Sequence, residues 1–215
     1  MRMLRVMPRF PSAPYVLPFA AFIALLAGLP ALELAPRIDL ALRVLILGAV
    51  LVVCSRRVID LSVRNIGGSI AVGVGVFVLW VAPDLLFPGY RETTASFPEE
   101  ARGDPLALGL RVARAVLLVP ILEELFWRAW LPRWVLDTDF RSVPLGAYSP
   151  FTFGVTALLF AVEHGAYWDV GLAAGIAYNA WMWRTRRLGD CILAHAVTNA
   201  CLAAYVVTAG QWQYW

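Results

Sequence analysis

The side chains with chemical capacity fall in three short runs set inside apolar sequence: Pro120-Ile-Leu-Glu123-Glu124-Leu-Phe-Trp-Arg128, Phe160-Ala-Val-Glu163-His164 and His195-Ala-Val-Thr-Asn199. Both histidines of the chain are among them. Ionisable groups within membrane-crossing sequence cost several kcal/mol, so those that persist are usually paired or functional. Glu124 and Arg128 are four residues apart, share a helix face and can neutralise each other. Glu123 lies about 100° round the helix from Glu124 and is free to face elsewhere. His195 and Asn199 are also four apart, so two donors on one face can reach a single bound atom. A carboxylate beside an imidazole can hold and deprotonate a water. A second imidazole and an amide can stabilise the oxyanion of an attacked carbonyl, at about 2.7–4 kcal/mol per donor. The set reads as amide-bond hydrolysis inside a membrane.

The elements that must position these groups follow from composition. Of 215 residues, 60% are hydrophobic and 15% charged, against about 25% charged in soluble domains. Mean hydropathy is +0.70. Long continuous apolar runs exclude disorder and a β-barrel and leave an all-α polytopic membrane helix bundle. A span needs about 20 residues, and seven stretches come near that length, with six to eight spans allowed. They are Tyr15–Leu34, Ile38–Cys54, Ile66–Phe87, Leu106–Leu131, Tyr148–Glu163, Val170–Trp183 and Asp190–Ala209. At 1.5 Å per residue from the cytoplasmic ends, Glu123 lies about 15 Å deep, His164 about 24 Å, His195 about 8 Å and Asn199 about 14 Å. With tilts of about 20° all four can line one cavity. The organisation expected is a three-span N-terminal region, 1–105, and C-terminal catalytic helices, 106–215, forming one integrated membrane domain.

All 18 basic residues are arginine, set against 15 acids, for a net charge of +3. That excess is modest and does not suggest nucleic acid. With the N-terminus in the cytoplasm, inside loops hold Arg2, Arg5, Arg9, Arg56, Arg57, Arg64, Arg133, Arg141, Arg184, Arg186 and Arg187, and outside loops only Arg37, Arg91 and Arg102. That bias fixes orientation and favours an odd number of spans. The first apolar run follows Arg2, Arg5 and Arg9 as a secretory signal would, but it is long enough to span and lacks a clear small-x-small site before Glu33, so it reads as an uncleaved helix. The longest outside loop, 88–105, carries Glu92, Glu99, Glu100 and Asp104 and is the expected mobile segment. Cys54, Cys191 and Cys201 are odd in number, lie in apolar runs and read as buried thiols.

The runs E-E-x-x-x-R at Glu123 to Arg128, F-x-x-x-H at Phe160 to His164 and H-x-x-x-N at His195 to Asn199 resemble, in order and on successive helices, those of the CAAX prenyl protease and bacteriocin-processing family of intramembrane proteases. The resemblance covers the chain from Leu106 onward. It implies a glutamate-dependent endopeptidase acting without a cofactor on a membrane-associated protein or peptide. By this likeness Glu123 and His164 would activate water, His195 and Asn199 would form the oxyanion site, and Glu124 and Arg128 would support them. Glu163 departs from the pattern and receives no role. The small size, arginine-rich loops and Trp-rich end at Gln211-Trp-Gln-Tyr-Trp215 are similar to bacterial CAAX-protease-related proteins that accompany exosortase systems, which implies an integral protein of a bacterial inner membrane.

Other readings stand beside this one. Glu123, His164 and His195 supply ligand types of a catalytic zinc site, although H-E-x-x-H spacing is missing. His195 and Asn199 can serve as interhelical hydrogen-bonding glue. A transporter or proton relay would use the same buried groups, yet no inverted repeat is visible. A non-catalytic immunity scaffold would be expected to show decayed motifs. Arg111 and Arg114 are expected to snorkel to the outer interface, and Asp190 to act as a helix N-cap.

Overall fold

The computed structural model describes residues 10–91 and 97–215. Arg2, Arg5, Arg9 and Glu92 therefore lie outside the described residues, as does the middle of the 88–105 loop. The described chain is helical, without strands, and forms a polytopic bundle of seven rods: α1 Ala13–Leu32, α2 Pro36–Ser55, α3 Ile66–Leu86, α4 Pro105–Leu136, α5 Pro150–Glu163, α6 Trp168–Thr185 and α7 Leu188–Ala209. α1 to α4 and α7 are long and apolar enough to cross a membrane, and α5 is a shorter apolar helix. The outward surface is strongly apolar: Val53 is 77% exposed, Val162 73% and Phe151 68%. Lipid rather than water accounts for such a band.

α4 forms the axis of the bundle. Its Leu122 and Leu125 are fully buried with Leu47 and Leu51 of α2 and Cys191 of α7. Two turns of α4 are widened to π geometry, Arg114–Leu118 and Leu125–Trp130, and each precedes a proline, Pro120 and Pro132. Proline lacks the N–H that would bond four residues back, and its ring crowds that carbonyl, so the helix widens just before it.

α3 packs against α6 and α7, and α5 against α6. The α3–α7 approach needs Gly73, since a Cβ there would collide with the carbonyl of Ala194 and with Val197. At the N-terminal end of α4, the Asp104 carboxylate accepts from the backbone N–H of Leu106 and Ala107 and pairs with Arg37. That pairing and the two N–H bonds hold the Asp104 carboxyl below the usual carboxylate range.

Asp190 corrects an expectation. The N-cap of α7 is Arg187, and the buried Asp190 carboxylate instead accepts from the backbone N–H of Arg64 and Asn65 and from the Asn65 side chain. It satisfies the start of α3 rather than of its own helix. The three cysteines are free thiols, with Cys191 buried and Cys54 and Cys201 half-buried.

Candidate active site

Glu123 and Glu124 face the bundle interior from the regular turn of α4 between its two π turns, Val119–Glu124. Glu124 is fully buried. One of its oxygens, Oε1, lies 3.4 Å from Arg128 Nη1 and 2.9 Å from His195 Nδ1. The expected Glu124–Arg128 pair is present, and the histidine from α7 joins it. Arg128 is held over the rings of Phe160 and Tyr178, 4.4 and 5.2 Å from their centroids, so aromatic faces supply part of its stabilisation.

Bonding at Nδ1 sets the state of His195. A carboxylate accepts, so Nδ1 carries the hydrogen and neutral His195 has its lone pair at Nε2. That nitrogen is 4.0 Å from Glu123 Oε2, which is buried and has no hydrogen-bond partner. The imidazole is stacked on Tyr178 with ring centroids 5.1 Å apart. Tyr178 donates to Thr198 Oγ1 at 2.7 Å, and Thr198 donates to the carbonyl of Gly73 at 2.8 Å. Three helices thereby lock one ring.

His164 terminates α5, where its Nδ1 donates to the carbonyl of Phe160 at 2.7 Å. No carboxylate is within ion-pair distance of it among the described residues. Gly171 of α6 lets the chain pass close by, because a Cβ there would sit 3.2 Å from His164 Cβ. Glu163 accepts from Trp127 Nε1 at 3.0 Å, and no ion pair joins it to His164 among the described residues.

Asn199 is placed by the first π turn. Val119 donates to the carbonyl of Arg114, and Pro120 has no N–H, which leaves the carbonyl of Ala115 without a backbone donor. Asn199 Nδ2 donates to it at 2.7 Å. One amide N–H is thus spent on anchoring and the second stays available.

Glu123, His164, His195 and Asn199 line a single cavity of about 180 Å³. Phe22 of α1 and Trp80 of α3 contribute to its wall, so the N-terminal helices help to enclose it. Sequence reasoning missed Tyr178, Thr198 and Trp80; hydroxyls and rings in apolar helices carry no spacing signal until the fold brings them together. Arg111, expected at the outer interface, lines this cavity and stacks on Trp215, and Arg114 is buried. Glu33, Pro36, Phe97 and Glu100 line a cavity together with Arg111 and Arg114.

Among the described residues, no three His, Cys, Asp or Glu side chains are disposed to hold a metal ion. Glu123, His164 and His195 therefore do not form such a set here. What the arrangement can do is hold a polar molecule between a carboxylate and an imidazole, facing a free amide donor.

Residues 105–201 match the model of the family described as type II CAAX prenyl endopeptidase Rce1-like. That segment is Rce1-like. The matched segment includes Glu123, Glu124, Arg128, His164, His195 and Asn199. No curated protein and no solved structure matches the chain.

Proposed function

We propose that the protein is an intramembrane endopeptidase that hydrolyses a peptide bond of a membrane-associated protein or peptide with a water activated at Glu123. The observation that carries this reading is the 4.0 Å separation of Glu123 Oε2 and His195 Nε2 in a cavity shared with His164 and Asn199. One water can sit about 2.8–3 Å from both and donate a hydrogen to each. Glu123 takes one proton as the water oxygen bonds to the carbonyl carbon. The free N–H of Asn199 receives the oxyanion that forms. As the C–N bond breaks, Glu123 returns its proton to the leaving nitrogen. His164 completes the polar wall facing the substrate. This pairing differs from the family likeness, which couples Glu123 with His164, because His195 is the imidazole at Glu123.

Phe22 and Trp80 of the N-terminal region supply walls, and the region 106–215 supplies the reacting groups, within one integrated membrane domain. The arginine bias of the loops supports a cytoplasmic N-terminus in a bacterial inner membrane. Cysteines placed at Arg141 and Arg186 should resist labelling from outside intact cells; efficient labelling there would reverse the topology.

The direct test incubates purified protein in detergent with a peptide pool, with and without chelator, and reads new termini by mass spectrometry. Discrete internal cleavage that survives chelation is expected. Absence of cleavage of any peptide or membrane protein offered contradicts the reading, and loss of cleavage on chelation replaces the metal-free mechanism.

A further inference from the structure

A second cavity, of about 510 Å³, lies beside the first and has Leu29, Leu40 and Phe97 among its apolar walls. Its size is in the ordinary range for ligand sites, about 300–1,000 Å³. Arg111 and Arg114, one turn apart on α4, both line it, and Arg111 lines the Glu123 cavity as well. The two cavities therefore share an arginine.

Neither arginine makes an ion pair with an acid among the described residues, although the Asp39 carboxylate acts on Arg114 through space. Arg111 rests against the ring of Trp215, 5.2 Å from its centroid. Arg114 is 6% exposed and its Nε has no hydrogen-bond partner. The acids on the same cavity are otherwise disposed: Asp39 is held by two nitrogens of Arg43, at 2.7 and 2.9 Å, and Glu33 and Glu100 are exposed. Buried cations in a membrane bundle are costly and are retained where something supplies the counter-charge.

We infer that Arg111 and Arg114 dock a carboxylate of the peptide substrate in this second cavity while the scissile bond lies at Glu123. The inference rests on the endopeptidase reading and gives it a specificity element. A carboxylate fits the forked donors of a guanidinium, and Arg111 links the docked group to the reacting groups without a break. The carboxylate can come from a free C-terminus or from an Asp or Glu side chain.

The test uses matched peptides that differ only in that group: free acid against amide at the C-terminus, and Asp or Glu against Asn or Gln within the chain. Wild type in detergent should lose about tenfold or more in kcat/KM, mainly through KM, when the recognised carboxylate is neutralised. The series that responds identifies its source. Arg114→Gln should bring the acid-to-neutral ratio towards one, and Arg114→Lys should restore part of it. Binding of the same peptides to Glu123→Gln is read in parallel. Carboxylate-dependent binding with no turnover in wild type would remove the endopeptidase reading and keep the arginine site. Equal treatment of acid and neutral peptides in both assays overturns the inference, and this holds even if Arg114→Gln fails to fold. A carboxylate preference that persists in both Arg111→Gln and Arg114→Gln overturns it too. So does phosphatidylglycerol retained by wild type and lost by Arg114→Gln without any peptide preference, which would make the site one for a lipid headgroup.

Discussion

His195 donates from Nδ1 to Glu124 Oε1 at 2.9 Å, and this bond fixes which of its nitrogens is left for Glu123. The same glutamate oxygen lies 3.4 Å from Arg128. Glu124 therefore acts through another residue: it positions the imidazole, and Arg128 offsets the charge that this requires. Adjacent glutamates divide the work between them, Glu124 anchoring the ring and Glu123 facing the cavity.

Removing Arg128 should be costly for that reason. Arg128→Ala leaves Glu124 buried without its cation and opens space against Phe160 and Tyr178. A loss of about 3–5 kcal/mol of stability is expected, read as a lowered Tm in detergent. A variant as stable as wild type would show that the pair contributes little.

Asn199→Ala should act on the chemical step. Its free N–H meets the oxyanion only as that charge develops, so kcat should fall about 10²–10³-fold with little change in KM. An increase in KM at constant kcat would mean that Asn199 binds substrate instead. Elemental analysis belongs to the same experiment: metal at one equivalent in wild type and lost from His195→Ala would assign His195 to a metal site.

Gly73→Ala tests the α3–α7 approach. The added methyl meets the Ala194 carbonyl and Val197, which directly precede His195 and Thr198 on α7. Overpacking of this kind costs about 1–3 kcal/mol. Turnover should fall with stability, because the displaced helix carries His195. Unchanged Tm and turnover would mean that α7 is not held there.

Asp190→Ala should destabilise by about 1 kcal/mol, since the backbone N–H groups of Arg64 and Asn65 lose the buried carboxylate that accepts from them. Asp190→Asn should recover part of this. The melting temperatures of the three proteins decide the matter.

The contrast between Asp190 and Glu124 marks what was legible in the sequence. Spans and the Glu124–Arg128 pair follow from local rules, hydropathy length and an i, i+4 spacing, and the structure has both. Asp190 follows Gly189 near a helix start, which reads locally as a cap; its partners, Arg64 and Asn65, lie more than a hundred residues away. His195 joins Glu124 across 71 positions, and no spacing rule reaches that far. The π turns had a local signal in Pro120 and Pro132, but their consequence, a carbonyl at Ala115 freed for Asn199, depends on where α7 comes to lie. For Arg111 and Arg114 the local reading, snorkelling, says nothing of the cavity they line, because its other walls, Glu33 and Phe97 among them, come from distant parts of the chain.

The central claim is that Glu123 is the base that activates water. Replacing it with Gln preserves size and hydrogen bonding and removes only the proton acceptor. The decisive measurement is the rate at which purified Glu123→Gln, shown by its Tm to be folded, releases the cleavage products formed by wild type. The account requires a loss of at least about 10²-fold. Turnover near the wild-type rate in the folded variant would contradict it.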